Sequence, residues 1–135
     1  MEWHWWHFDA IDYNVYNTSA NAIYLLKGKE FDREVDLEKG NYDYLMGCDL
    51  DMDNPEVIGE LKYWGEWYID TTNVDGFRFD AVKHVSAEFF QEWLEHVRNY
   101  AKRDLFAVGE YWSYEVEALH HFITVTDGKV ALFDA

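Results

Sequence analysis

The chain has 135 residues with seven Trp, ten Tyr and nine Phe, enough for one ordinary domain and too aromatic for a disordered segment. Lys plus Arg is 11 against 27 Asp plus Glu, a formal charge of −16. That balance excludes nucleic acid as a partner and leaves solubility, cation binding or an acidic active site as uses for the carboxylates.

Residues 1 to about 53 show no helical period. Asn, Asp, Gly and Tyr alternate with short apolar pieces such as 22–26, which predicts a loop-rich segment with short strands. Its start, MEWHWWHF, lacks the basic-then-apolar pattern of a signal peptide, and no apolar run approaches a membrane span. Asn54-Pro55 then reads as an N-cap with proline at the first helical position. Val57, Ile58, Leu61, Trp64, Tyr68 and Ile69 share one face, predicting a helix over 55–71. Gly76 to Val82 reads as a strand. Ser86 opens a second helix striped by Phe89, Phe90, Trp93, Leu94, Val97 and Ala101, with Lys102 and Arg103 in its last turn. Leu105 to Tyr111 is a second strand, Glu115 to Ile123 a third helix and Val130 to Phe133 a third strand. Helices and strands in alternation predict parallel β/α architecture over 54–135. Both ends read as cut: the chain opens within an aromatic cluster and stops at ALFDA, a strand just beginning.

Side chains alternate along a strand, so Phe77 and Phe79 share one face of GFRFDAVKH while Arg78 and Asp80 share the other. In the next strand Leu105, Ala107 and Gly109 face one way, and Phe106, Val108 and Glu110 the other. Asp80 and Glu110 thus occupy equivalent strand ends, where an α/β barrel places its chemistry. Two such carboxylates suit a retaining glycosidase, one as nucleophile and the other as acid and then base. Arg78 would keep Asp80 ionised, while an apolar setting beside Tyr111 and Trp112 would raise the pKa of Glu110. By pattern alone, a buried Arg78–Asp80 ion pair and a solvated Glu110 fit equally well.

GFRFDAVKH resembles the strand-4 motif of the α-amylase family of glycoside hydrolases, and GEYW (109–112) is similar to its strand-5 motif. WHFD near the start and GNYDYLMGCDLDMDNPEV in the middle resemble the bacterial liquefying-type α-amylases. The resemblance runs nearly end to end. It implies an insert domain (domain B, 1–53) followed by part of a (β/α)8 TIM barrel, about strands 4 to 6 (54–135). It implies Asp80 as nucleophile, Glu110 as acid/base and Arg78 as the residue fixing Asp80. Lys83, His84 and Trp112 would contact the sugar. The family's strand-3 Asn-His and strand-7 His-Asp motifs have no counterpart, so little turnover is expected of this segment alone.

Asp9, Asp32, Asp43, Asp49 and Asp51 lie in the irregular first half, where calcium finds its oxygen ligands. Their spacing matches no EF-hand, and by chemistry alone a solvated acidic surface accounts for them better. The resemblance implies that all five, with the His84 backbone carbonyl, hold a calcium–sodium–calcium cluster. His4, His7, His120 and His121 lack zinc spacing and read as surface or aromatic-cluster residues. Trp3, Trp5, Trp6 and Phe8 read as a packed cluster rather than a sugar platform. Cys48, the one cysteine, excludes an internal disulfide and has no neighbour to activate it. The expected activity is retaining endo-hydrolysis of α-1,4-glucosidic bonds in starch-like glucans. A maltooligosaccharide-forming enzyme, a glucanotransferase, or a non-catalytic calcium- or glucan-binding piece are the alternatives. Open strand edges predict self-association.

Overall fold

The computed structural model describes residues 1–20, 22–36, 43 and 47–133. Most of GNYDYLMGCDL before Gly47, and the last two residues of ALFDA, lie outside them. The described residues form two small sheets. The first half forms an antiparallel sheet of order β2-β1-β3, from β1 (Phe8–Ile11), β2 (Tyr24–Leu25) and β3 (Cys48–Leu50). A register shift between Phe8 and Ala10 interrupts the β1–β3 pairing, and short 3-10 turns replace helices, as the aperiodic sequence predicts.

The second half alternates as expected. Helix α1 (Pro55–Thr72) starts on Asn54, whose side chain accepts a hydrogen bond from the Glu56 amide and so satisfies one orphan N–H of the first turn. Strand β4 (Gly76–Phe79), α2 (Ala87–Ala101), β5 (Phe106–Gly109), α3 (Val116–Val125) and β6 (Ala131–Leu132) follow. The sheet has order β4-β5-β6 and is wholly parallel. Its strands are shorter than the apolar runs suggest. β4 stops at Phe79 because Ala81 adopts a left-handed conformation (φ 46°) and turns the chain into a 3-10 turn, Val82–His84. α2 likewise ends at Ala101 on a left-handed Lys102, so Arg98 occupies the last turn. Arg103 instead reaches Asn73, Val74 and Asp75 in the loop before β4.

The core lies between this sheet and its helices. Phe90, Trp93, Leu94 and Val97 of α2 pack with Ile69, Leu105, Ala107, Phe122 and Val130, and the Phe77 and Phe79 rings meet Trp93 edge-on. α1 approaches α2 through Gly65, where an added Cβ would sit 2.5 Å from the Trp93 ring and 2.7 Å from Val97. Glycine at that position sets the distance between the helices. Trp64, expected on the buried face, is 52 % exposed because Gly65, not Trp64, occupies the contact. Among the described residues, no helix is long and apolar enough to cross a membrane.

Candidate active site

The parallel register decides where the two carboxylates fall. Gly76 pairs with Phe106, Phe77 with Ala107, Arg78 with Val108 and Phe79 with Gly109. Asp80 and Glu110 are therefore the next residues out on neighbouring strands. Backbone bonds continue past the ladder, from Glu110 N to Phe79 O (3.0 Å) and from Val82 N to Glu110 O (3.1 Å). Leu105 and Ala107 are buried while Phe106 is exposed, so the alternation read from sequence holds.

Arg78 forks between the carboxylates. Its Nη1 donates to Asp80 Oδ1, and its Nη2 donates to Glu110 Oε2 at 2.7 Å. Asp80 is 74 % exposed and Glu110 17 %. The Arg78 hydrogen bond holds the Asp80 carboxyl below the usual aspartate range, helped by a hydrogen bond shared with Glu110. The surroundings of Glu110 differ from the apolar setting expected. Its carboxylate meets three donors: the Arg78 guanidinium, the Ala81 amide (3.5 Å) and the Trp112 indole N–H. The left-handed turn at Ala81 aims that amide, and Trp112 offers its N–H rather than its ring face.

Lys83 Nζ donates to the Trp112 carbonyl (2.7 Å), tying the turn after β4 to the loop after β5. Trp112 is 58 % exposed, with its ring open to solvent. Asp36, unnoticed in the sequence, connects the two halves. Its amide donates to Lys83 O (2.9 Å), and its Oδ2 accepts from the Tyr111 hydroxyl (2.9 Å). Burial, then that hydrogen bond, raises the Tyr111 pKa. A cleft of about 1420 Å3 opens beside the carboxylates rather than over them, bordered by Asp36, Lys83, Tyr111, Trp112, Glu115 and His120. His84 closes the 3-10 turn.

Of the five aspartates, the fold brings Asp9, Asp32 and Asp43 to one point, with carboxylate oxygens within 4.8 Å of one another. The Asp32 amide also donates to Asp43 Oδ2. Asp49 adjoins them by a hydrogen bond with Asp43, and its own Oδ2 is buried without a partner. Burial, reinforced by mutual repulsion, pushes Asp9 up to about 6, Asp32 to about 7 and Asp49 to about 8. Buried and partly buried carboxylates crowded in this way, with an oxygen left over, are the hard-oxygen donor set that calcium prefers. Asp51 lies beside the group but is engaged by the Lys29 ammonium, a residue the sequence reading passed over. The histidines behave as expected. His7 is buried against Trp3 and Trp6, while His120 and His121 lie on the surface. His7 Nδ1 accepts from the His4 amide (2.9 Å), so Nε2 carries the proton and donates to Glu56 Oε2 (2.8 Å) at the start of α1. The Trp3, Trp5 and Trp6 rings touch neighbouring rings but each keeps an exposed side.

Residues 41–132 match the family described as Alpha amylase, catalytic domain. An α-amylase of Geobacillus stearothermophilus is 54 % identical over all of this chain and 25 % of its own length. A glucan 1,4-α-maltohexaosidase of a Bacillus strain and the α-amylase of Bacillus licheniformis are each 44 % identical, over 99 % of this chain and 26 % of theirs. The chain thus spans about a quarter of the length of these relatives. Two solved structures also resemble it. An Anoxybacillus α-amylase has a TM-score of 0.58 at 35 % identity, over 65 % of this chain and 19 % of that one. An α-amylase of Geobacillus thermoleovorans complexed with acarbose has a TM-score of 0.57 at 32 % identity, over 72 % and 22 %. With the parallel β/α order described above, these likenesses identify a TIM-barrel glycoside hydrolase fold.

Proposed function

Because this chain belongs to the α-amylase family, we propose that it carries the nucleophile and the acid/base of a retaining glycosidase acting on α-1,4-linked glucans. In this reading residues 1–53 are the insert domain, and 54–135 supply about strands 4 to 6 of the barrel. The observation that carries it is the single Arg78 guanidinium bonded to both Asp80 and Glu110 at adjacent strand ends. Two carboxylates sharing one guanidinium are close neighbours, which favours the roughly 5 Å separation of retaining enzymes over the wider spacing of inverting ones.

Asp80, ionised and exposed, attacks the anomeric carbon as the glycosidic C–O bond breaks. Glu110 gives its proton to the departing oxygen. It then takes a proton from the water that displaces Asp80, so the anomeric configuration is retained. Arg78 positions both carboxylates and keeps Asp80 charged. Lys83, His84 and Trp112 line the sugar path, with the exposed Trp112 ring as a stacking surface. Asp9, Asp32, Asp43, Asp49 and Asp51, with the His84 carbonyl, would hold calcium, with sodium as a companion ion. Bound calcium would neutralise the crowded carboxylates and join the two halves. The acarbose held by the G. thermoleovorans relative supports an oligosaccharide substrate. Equal identity to a maltohexaosidase and to an α-amylase leaves product length outside this reading. Self-association, through exposed rings such as Tyr63, Trp64 and Trp67, belongs to the same proposal and is checked by gel filtration.

The test is covalent capture. An α-glucosyl fluoride carrying fluorine at C5 needs no proton to lose fluoride, and one attack per molecule suffices for detection. Mass mapping is expected to place the glycosyl ester on Asp80, with none in Asp80→Asn. A label on another residue, or no label with the folded chain at saturating reagent, would overturn the assignment.

A further inference from the structure

Lys29 sits where the acidic cluster meets helix α1. Its ammonium contacts Asp51 Oδ2, lies 3.8 Å from Asp9 Oδ1 and donates to the Trp6 carbonyl at 2.9 Å. That carbonyl also accepts from Asn54, the N-cap of α1 (3.1 Å). A turn sets the stem, with Lys29 N bonded to Leu26 O (3.0 Å) and Gly28 at φ 84°. The Lys29 side chain is only 17 % exposed, and those of Asp51 and Asp9 are more buried still. Ion pairs at exposed positions contribute little, whereas a half-buried ammonium between buried carboxylates is both strongly held and costly to remove. Asp9 is in turn a member of the trio with Asp32 and Asp43.

We infer that Lys29 is a built-in cation: it competes with a divalent ion for Asp9 and Asp51, holding the acidic centre together without metal and weakening its affinity for metal. The inference rests on the calcium reading above. A lysine ammonium suits this role because it is a compact point charge on a flexible stem, able to withdraw when a stronger cation arrives. An ordinary structural strut makes the opposite prediction, since removing a strut would disorder Asp9 and Asp51 and weaken ion binding.

The experiment titrates calcium into the chain and into Lys29→Met and Lys29→Arg by calorimetry, with thermal unfolding recorded in chelator and in excess calcium. Freeing Asp51 and removing one positive charge is expected to tighten calcium binding about tenfold in Lys29→Met. The same variant is expected to unfold at lower temperature in chelator, the gap closing in calcium. Lys29→Arg keeps the charge and stays near the parent in both. Binding by Lys29→Met that is unchanged or weaker, with the parent binding normally, overturns the inference and leaves the calcium reading standing. Binding by Lys29→Met alone supports the inference while removing calcium from the native chain's reading. Calcium bound by neither overturns both. Should Lys29→Met fold only when calcium is present, the inference is supported; failure to fold in either condition overturns it.

Discussion

Aspartates in two carboxylate clusters of one chain are pushed in opposite directions. In the first half, Asp9, Asp32, Asp43 and Asp49 face one another, and the one ammonium described beside them reaches Asp51 and Asp9. Burial and repulsion push Asp9, Asp32 and Asp49 above their ordinary range. At the strand ends, one guanidinium serves two carboxylates, and Asp80 falls below its ordinary range. Residue type does not separate the two places. The ratio of fixed cations to carboxylates, and the water left around them, does. In the function proposed above, the first arrangement takes up a cation and the second keeps an anion ready.

The halves also differ in what holds them. Leu94 is fully buried in the β/α core, so Leu94→Ala is expected to lower unfolding free energy by about 3 kcal/mol, read by denaturant titration. A change below about 1 kcal/mol would mean that this core is not what holds the second half. Gly65→Ala comes next, at about 1–3 kcal/mol, because its methyl meets Trp93 and Val97. Neither substitution should change calcium affinity, since neither touches the first half.

A pH series sharpens the comparison. Groups whose folded pKa is raised bind more protons folded than unfolded, so their stabilising effect is complete below the unfolded value near 4 and is lost as pH rises through the folded value. In chelator, the melting temperature should therefore fall between pH 4 and pH 8. Calcium should restore more at pH 8 than at pH 5. Asp49→Asn should flatten the chelator profile, and an unaltered slope would show that Asp49 is not among the groups responsible. Asp80 has the opposite sign: its contribution is present above the unfolded value and lost as pH falls through the depressed one. Its exposure makes that the smallest effect, seen as a slight loss of acid stability removed by Arg78→Gln.

Much of this is legible in the sequence. Asn54-Pro55, the α2 stripe and the alternation in GFRF and FAVG follow from local rules, and the structure keeps them. The equivalence of Asp80 and Glu110 followed from counting along two strands. Their pairing through register did not, because register depends on which strand lies alongside. Ala81 hid its left-handed turn, since alanine gives no sign of one. Asp36 with Tyr111 is a contact across 75 positions, and Lys29 with Asp51 one across 22, and no local pattern marks either. The expectation of an apolar Glu110 erred by counting neighbouring rings instead of asking which of their atoms point at the carboxylate.

The most direct measurement is a carboxyl carbon-13 NMR titration of the chain in chelator, following Asp80 and Asp49 in one sample. Asp80 is expected to titrate below the ordinary aspartate range and to rise toward it in Arg78→Gln, while Asp49 titrates near 8 in both proteins. Titration of both residues near 4, unaffected by loss of Arg78, would contradict the account.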